Sequence, residues 1–233
     1  MAYVLDAAIS TAWPRECFVC GEAAGAFAVC HACEPILLRL PAAVCPRCAL
    51  PAPVEGMLCG ACQRRPPCFD ATRAVFVYTH PVREMVLALK HGQGFVLLDW
   101  LGQAMSGALN GLKADCIIPT PLHPRRLAER GFNQSGELAR RVAKTCGLPL
   151  WREAVVRDVD TPKFAGMRGK QRRRAVRGIF RCVEDFSGQH VVLLDDVMTS
   201  GATLDELART LKQRGAVRVT NLVLARTLRV PRK

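Results

Sequence analysis

Eight cysteines and one pair of adjacent aspartates are the residues of this 233-residue chain best placed to do chemistry. The cysteines form four Cys-x-x-Cys pairs: Cys17/Cys20, Cys30/Cys33, Cys45/Cys48 and Cys59/Cys62. Two thiolates so spaced can grip one ion while the backbone turns beneath it, and pairs in series read as tetrahedral zinc sites rather than redox dithiols. Two Zn²⁺ ions of four thiolates each are expected, paired most simply as the first four and the last four cysteines; a crossed pairing of alternate knuckles also satisfies the spacing. Four thiolates leave no position open for water or substrate, so these sites read as structural or as a docking surface. Cys68, Cys116, Cys146 and Cys182 read as ordinary thiols.

The aspartates are Asp195 and Asp196, in the stretch VVLLDDVMTSGATLDEL. An aliphatic run ends on two carboxylates and passes through Thr199-Ser200-Gly201-Ala202-Thr203 into a helical pattern. Successive backbone N–H groups at a helix N-terminus cradle anions, and the hydroxyls add donors. Carboxylates beside such a cradle suit a ligand with both hydroxyls and a phosphate, such as a ribose 5-phosphate.

The elements that must carry these groups fall into two parts. Residues 1–66 hold the cysteine repeat and few large aliphatics, so metal would supply most of the folding free energy, and its loss is expected to unfold about the first 60 residues and spare the rest. Pro66-Pro67 marks the boundary. Residues 67–233 alternate strands and helices: strands at 71–80, 114–118, 191–197 and 217–227, and helices at 82–92, 95–112, from Asn133 to Gly147, and at 202–214. Val-, Ile- and Leu-rich strands alternating with amphipathic helices imply an α/β fold, a mostly parallel sheet flanked by helices on both faces. Ligands of such sheets sit at the C-terminal strand ends, where the acid pair lies.

Charge bounds the partners. Lys and Arg number 33 against 20 acidic residues, net +13, which favours polyanions. Nine of the basic residues fall between Arg157 and Arg181, with Phe164 and Phe180 interleaved, a pattern that also suits a track for single-stranded DNA. No apolar run approaches the roughly 20 residues of a membrane span, so no membrane insertion is expected. Asp6 without early Lys or Arg is unlike a secretory signal, and the cytoplasm is the expected compartment. The five histidines show no ligand spacing among themselves.

The run from Val191 to Leu204 resembles the PRPP-binding signature of type I phosphoribosyltransferases. Over nearly the full chain the cysteine ribbon, PVREMVLALKHG, IIPTPLHPRRLAERGFNQS and DDVMTSGAT resemble the ComF family, competence-associated phosphoribosyltransferase-like proteins that include GntX-like members. The transferase part also resembles the corresponding half of glutamine-dependent PRPP amidotransferases. The resemblance implies a type I phosphoribosyltransferase fold behind a double zinc ribbon, PRPP bound with Mg²⁺, a role in DNA uptake, and competence-machinery partners. It implies that Asp195 and Asp196 hold the ribose hydroxyls and that Met198, Thr199, Ser200, Gly201, Ala202 and Thr203 hold the 5-phosphate. Pro119, Thr120, Pro121 and Leu122 would form the pyrophosphate turn, with Arg125, Arg126, Arg130 and Lys90 as cationic neighbours. Arg172 matches a family motif position, whereas Phe164 stands where the family commonly has Gln and Ala175 where it has Asn. In an active enzyme pyrophosphate would leave as an oxocarbenium-like centre develops on the ribose. The sequence shows no glutaminase domain or base pocket to supply the attacking nucleophile.

Overall fold

The computed structural model describes residues 16–25, 27–160 and 169–228, without the side chains of residues 169, 170 and 172. A short helix, α1 (Gly60–Arg64), closes the cysteine segment. Then follow β1 (Ala71–Val77), α2 (Val82–Lys90), α3 (Leu98–Gly107), β2 (Cys116–Pro119), α4 (Pro124–Arg130) and α5 (Gln134–Cys146). The chain continues through β3 (Val155–Arg157), α6 (Gly169–Ala175), β4 (Phe180–Cys182), β5 (His190–Met198), α7 (Ala202–Lys212) and β6 (Arg218–Arg226).

Four strands form a wholly parallel sheet in the order β1-β6-β5-β2, as the alternating pattern implies. Helix α5 begins and ends where its caps dictate. The Asn133 side chain accepts from Ser135 N at 3.1 Å, and Gly147 takes the left-handed conformation at φ 67° that ends a helix without Cβ strain. The expected helix over 95–112 starts instead as a 3₁₀ turn, Phe95–Leu97, and its α-helical part stops at Gly107. The antiparallel pair β3–β4 and helix α4 are additional to the expected elements.

The strands bury alternate residues against two separate cores, because successive side chains point to opposite faces. Val192, Leu194, Leu222 and Leu224 pack against Val86 and Leu89 of α2, Leu101 and Met105 of α3, and Leu138 and Val142 of α5. Val191, Leu193, Val219 and Val223 pack against Leu207 and Leu211 of α7 and against Val155, Phe180 and Cys182 of the small pair.

The cysteine segment is built into both cores. Cys17, Val29, Cys33 and Leu37 join the first, and Cys45, Cys48 and Cys62 join the second. Backbone ties reinforce this: Val77 N donates to Leu38 O at 2.7 Å and Thr72 N to Pro46 O at 3.0 Å. A ribbon that could unfold while the sheet stood unaffected is therefore not what the structure presents, since its cysteines fill space the sheet would otherwise expose.

Among the described residues no helix is long and apolar enough to cross a membrane.

Candidate functional site

The parallel pairing of β2 and β5 sets Pro119 opposite Leu194. The turn after β2 therefore leaves the sheet beside the acid pair that ends β5. Thr120 N donates to Leu194 O at 2.8 Å, and Thr120 O accepts from Asn133 Nδ2 at 3.0 Å, which locks the turn to the start of α5. Thr120 Oγ1 is buried and has no partner among the described residues. A buried hydroxyl without a partner carries a desolvation cost that a bound polar ligand would relieve.

The two aspartates stand in different surroundings. Asp196 is 6% exposed, and its Oδ2 accepts from Gln134 Nε2 at 3.0 Å and pairs with Lys90 Nζ at 3.0 Å. Asp195 lines a small cleft together with Met198 to Leu204 and Val176, and accepts from Ser135 Oγ at 3.1 Å. Burial, then the neighbouring Asp196 carboxylate, push Asp195 up to about 7, against the opposing pull of Lys90. Burial on its own would lower Lys90, but the Asp196 and Asp195 carboxylates outweigh it and raise the ammonium above its ordinary range. The resemblance gave both acids one role; here Asp195 faces the cleft and Asp196 is engaged by Lys90 and Gln134.

Beyond the acids the chain turns through Thr199 and Ser200 to Gly201, the residue preceding α7, which sits at φ 76°. That backbone conformation favours glycine, and a Cβ there would also stand 2.7 Å from Met198 Cε, the flexible end of a side chain that would have to move. Ala202 N donates to Ser200 Oγ at 3.4 Å.

The cationic residues divide. Lys90 is on the acid pair, and Arg130 donates to Gln134 Oε1, which continues the network Arg130–Gln134–Asp196–Lys90. Arg125 lies 3.9 Å from Asp160 with a largely exposed side chain. Arg126 projects from α4 near Arg157. The side chain of Arg172 lies outside the described residues, as does Phe164. Phe180 does not interleave with surface arginines as the sequence pattern suggested: it is 7% exposed in the second core. Arg157 is also buried, and Arg181 is held by both oxygens of Asp158 at 2.8 and 3.2 Å.

Gln134 and Ser135 belong to the site although the sequence reading did not select them. Their signal was available: Ser135, Leu138, Ala139 and Val142 share one helical face, so Ser135 is a polar residue at a core position.

A test of the network follows from its charges. In Lys90→Met the cation stabilising ionised Asp195 is gone, so Asp195 should titrate above 7, readable by NMR of the carboxyl carbons. An unmoved titration would remove Lys90 from the electrostatics of the site.

The metal-binding groups assemble as two clusters, Cys17, Cys20, Cys30 and Cys33 in one and Cys45, Cys48, Cys59 and Cys62 in the other, with sulfurs all within 4.8 Å of one another in each. This is the sequential pairing of knuckles, and all-thiolate sets of this compactness suit zinc. Burial opposes ionisation of Cys17, yet N–H groups of Cys30, Cys20 and Val19 outweigh it and bring that thiol down to about 6. In the same way burial opposes, and N–H groups of Cys59, Cys48 and Arg47 favour, a Cys45 thiolate at about 7. Burial pushes Cys33 up to about 12 and raises Cys62. Each cluster so holds one thiol ready to ionise, and a metal charge would draw off the protons that burial holds on Cys33 and Cys62.

Comparison with known proteins agrees with this architecture. Residues 8–63 match the double zinc ribbon domain and residues 127–231 the phosphoribosyl transferase domain. The DNA utilization protein YhgH of Shigella flexneri is 31% identical over 224 residues, spanning 92% of this chain and 98% of its own. Competence protein ComFC of Bacillus subtilis is 25% identical over 85% of this chain and 84% of its own. The crystal structure of a purine phosphoribosyltransferase from Pyrococcus horikoshii aligns with TM-score 0.38 and 25% identity, covering 59% of this chain and 80% of that one. Identity sustained along almost the whole length, across both parts in their order, makes this chain a member of the ComF family, a double zinc ribbon joined to a phosphoribosyltransferase domain.

Proposed function

We propose that the cleft at the end of β5 binds a ribose 5-phosphate, PRPP in its full form, together with Mg²⁺, and that it does so in the cytoplasm in the service of DNA utilisation. The observation that carries this reading is the continuity of Asp195 with the Thr199–Thr203 turn in one cleft, at the N-terminus of α7. Asp195 accepts the ribose hydroxyls, and the turn and the start of α7 receive the 5-phosphate. Thr120 Oγ1 and the Pro119–Leu122 turn, beside Asp195 by strand register, receive the second phosphate group, with Arg126 and Arg130 on the flanking helix. Asp196 acts behind this surface, holding Lys90 and Gln134 in place.

Asp195, the carboxylate that lines the cleft, is an oxygen donor of the kind a hard cation takes and would help hold Mg²⁺ there. When bound, Mg²⁺ would neutralise the developing charge of a departing pyrophosphate. The DNA link rests on the names of the relatives, a DNA utilization protein and a competence protein.

Calorimetric titration with PRPP plus Mg²⁺, beside a single-stranded oligonucleotide at two salt concentrations, tests the reading. Saturable heat with PRPP is expected, and its absence would overturn the site. The rival, a non-catalytic single-strand binder on this scaffold, needs stacking aromatics along its basic track. Of the two that the sequence offered, Phe180 is in the core. Oligonucleotide heat without any PRPP heat would nevertheless put the rival first.

A further inference from the structure

Arg226, the last residue of β6, is 3% exposed and its guanidinium is spent on main-chain carbonyls from three segments. Nε donates to Cys48 O at 2.8 Å. One terminal nitrogen donates to Met198 O at 2.8 Å, to Thr199 O, and to Thr227 O at 3.1 Å. Cys48 is a thiolate of the second cluster, and Met198 and Thr199 open the turn that the proposed phosphate site uses. One side chain thus joins the backbone of a metal ligand to the backbone of the cleft.

The rest of the knuckle is fixed as well. Pro46 O accepts from Thr72 N at 3.0 Å, and Arg47 O from Thr72 Oγ1 at 2.6 Å. Three consecutive carbonyls, 46 to 48, therefore bind the sheet, and the third does so through Arg226. A second contact runs the same way: Phe69, in the core with Cys45, Cys48 and Cys62, lies beneath Gly201, 3.8 Å from where a Cβ would stand.

We propose that Arg226 is a positioning residue through which metal at the Cys45–Cys62 cluster sets the shape of the Met198–Thr203 turn, so that zinc there and a ribose 5-phosphate in the cleft bind with positive coupling. The ligand half of this rests on the reading of the cleft given above. A guanidinium is a rigid planar fork, so its donors cannot follow two sets of carbonyls that move independently. With zinc in place Cys48 is anchored by its sulfur, its carbonyl is fixed, and Arg226 presents Met198 and Thr199 in one arrangement. Without zinc the knuckle carbonyl is released, and the buried cation must find another acceptor or draw the turn with it. The first cluster lies in the opposite core, so the coupling belongs to the second cluster alone. Linkage is reciprocal: a ligand in the cleft must raise zinc affinity by the factor by which zinc tightens the ligand, and where zinc capture is unchanged that factor is read as slower zinc loss.

The test is zinc release from the full chain to a colorimetric chelator, with and without saturating ribose 5-phosphate, with alkylation of the freed cysteines identifying the cluster that opens. Release from Cys45, Cys48, Cys59 and Cys62 is expected to slow about 5- to 10-fold with the ligand, while the other cluster is unmoved, in the range ordinary for site-to-site coupling. In Arg226→Lys, which keeps the charge and loses the fork, and in Arg226→Met, the factor should fall to about one with two zinc ions still bound. A purely structural arginine would instead speed release equally with and without ligand. Equal release rates in the parent protein, with calorimetry showing the ligand bound, overturn the coupling but not the cleft, and need no variant to fold. Absence of binding heat overturns the cleft and the coupling with it. Coupling retained in Arg226→Met overturns the role of Arg226.

Discussion

Replacing Asp195 and Asp196 together by Asn should abolish measurable binding of PRPP and of ribose 5-phosphate while leaving a folded protein. Charge-assisted hydrogen bonds are each worth about 1.5 to 3 kcal/mol, so losing the two that Asp195 would accept from the ribose hydroxyls, with Lys90 freed by the loss of Asp196, weakens binding by roughly 10²- to 10⁴-fold. Calorimetry that found parent-like affinity in the double variant would remove the acid pair from the ligand site.

The single variants should move stability in opposite directions, because the two acids are held differently. Asp195 is pushed from the ordinary carboxylate range of about 3.9 up to about 7, so the folded chain binds a proton there that the unfolded chain has already released. Stability from this group is complete below pH ~4, falls as pH rises from ~4 to ~7, and is flat above. Asp195→Asn removes that slope. Its thermal midpoint should exceed the parent's at pH 8, and the two should converge near pH 4. Asp196→Asn should instead lower the midpoint at pH 8, since it leaves Lys90, only 28% exposed, without its counterion. In the parent, ligand affinity should rise from pH 6 to pH 8 as Asp195 ionises. Midpoints that shift in the same sense for both single variants would refute this division.

What the sequence revealed of this site follows from how each residue signals itself. The acid pair was legible because a buried aliphatic strand running into two charges has few structural explanations, and helix α5 because Asn133 and Gly147 punctuate it. The eight cysteines were legible by spacing alone. Helix α4 was not, since Pro124–Arg130 buries none of its residues and so writes no apolar stripe. Strands β3 and β4 are three residues each, and their arginines read as part of a basic surface although Arg157 is buried and Arg181 is paired with Asp158. Arg226 was hidden for a different reason. A charged residue ending an apolar strand looks like a solvated terminus, and only the fold brings Cys48 and Met198 to it.

Removing both zinc ions should unfold the whole chain rather than its first part. Elemental analysis of protein never exposed to strong chelators is expected to give about two zinc ions per chain, and structural zinc of this type contributes on the order of 10 kcal/mol or more of folding free energy per ion. A single domain's net stability is only about 5 to 15 kcal/mol, so losing both ions exceeds it, whereas losing one first loosens whatever is packed against its own ligands. Here that is the sheet itself. Two tryptophans report on the faces separately: Trp100 stacks on Phe76 in the first core at 5.9 Å, and Trp151 tilts against Phe186 in the second at 5.2 Å. Replacing Cys17 and Cys20 by Ser should loosen Trp100 first, because Cys17 and Leu37 fill its core and Arg39 lies over Phe76. Replacing Cys45 and Cys48 by Ser should loosen Trp151 first. Full chelation should abolish both signals together with the far-ultraviolet dichroism of the parallel sheet. Two tryptophan environments that survive chelation unchanged would mean that the sheet stands without its ribbon, and the cysteine segment would then be an independent domain whose buried contacts contribute little.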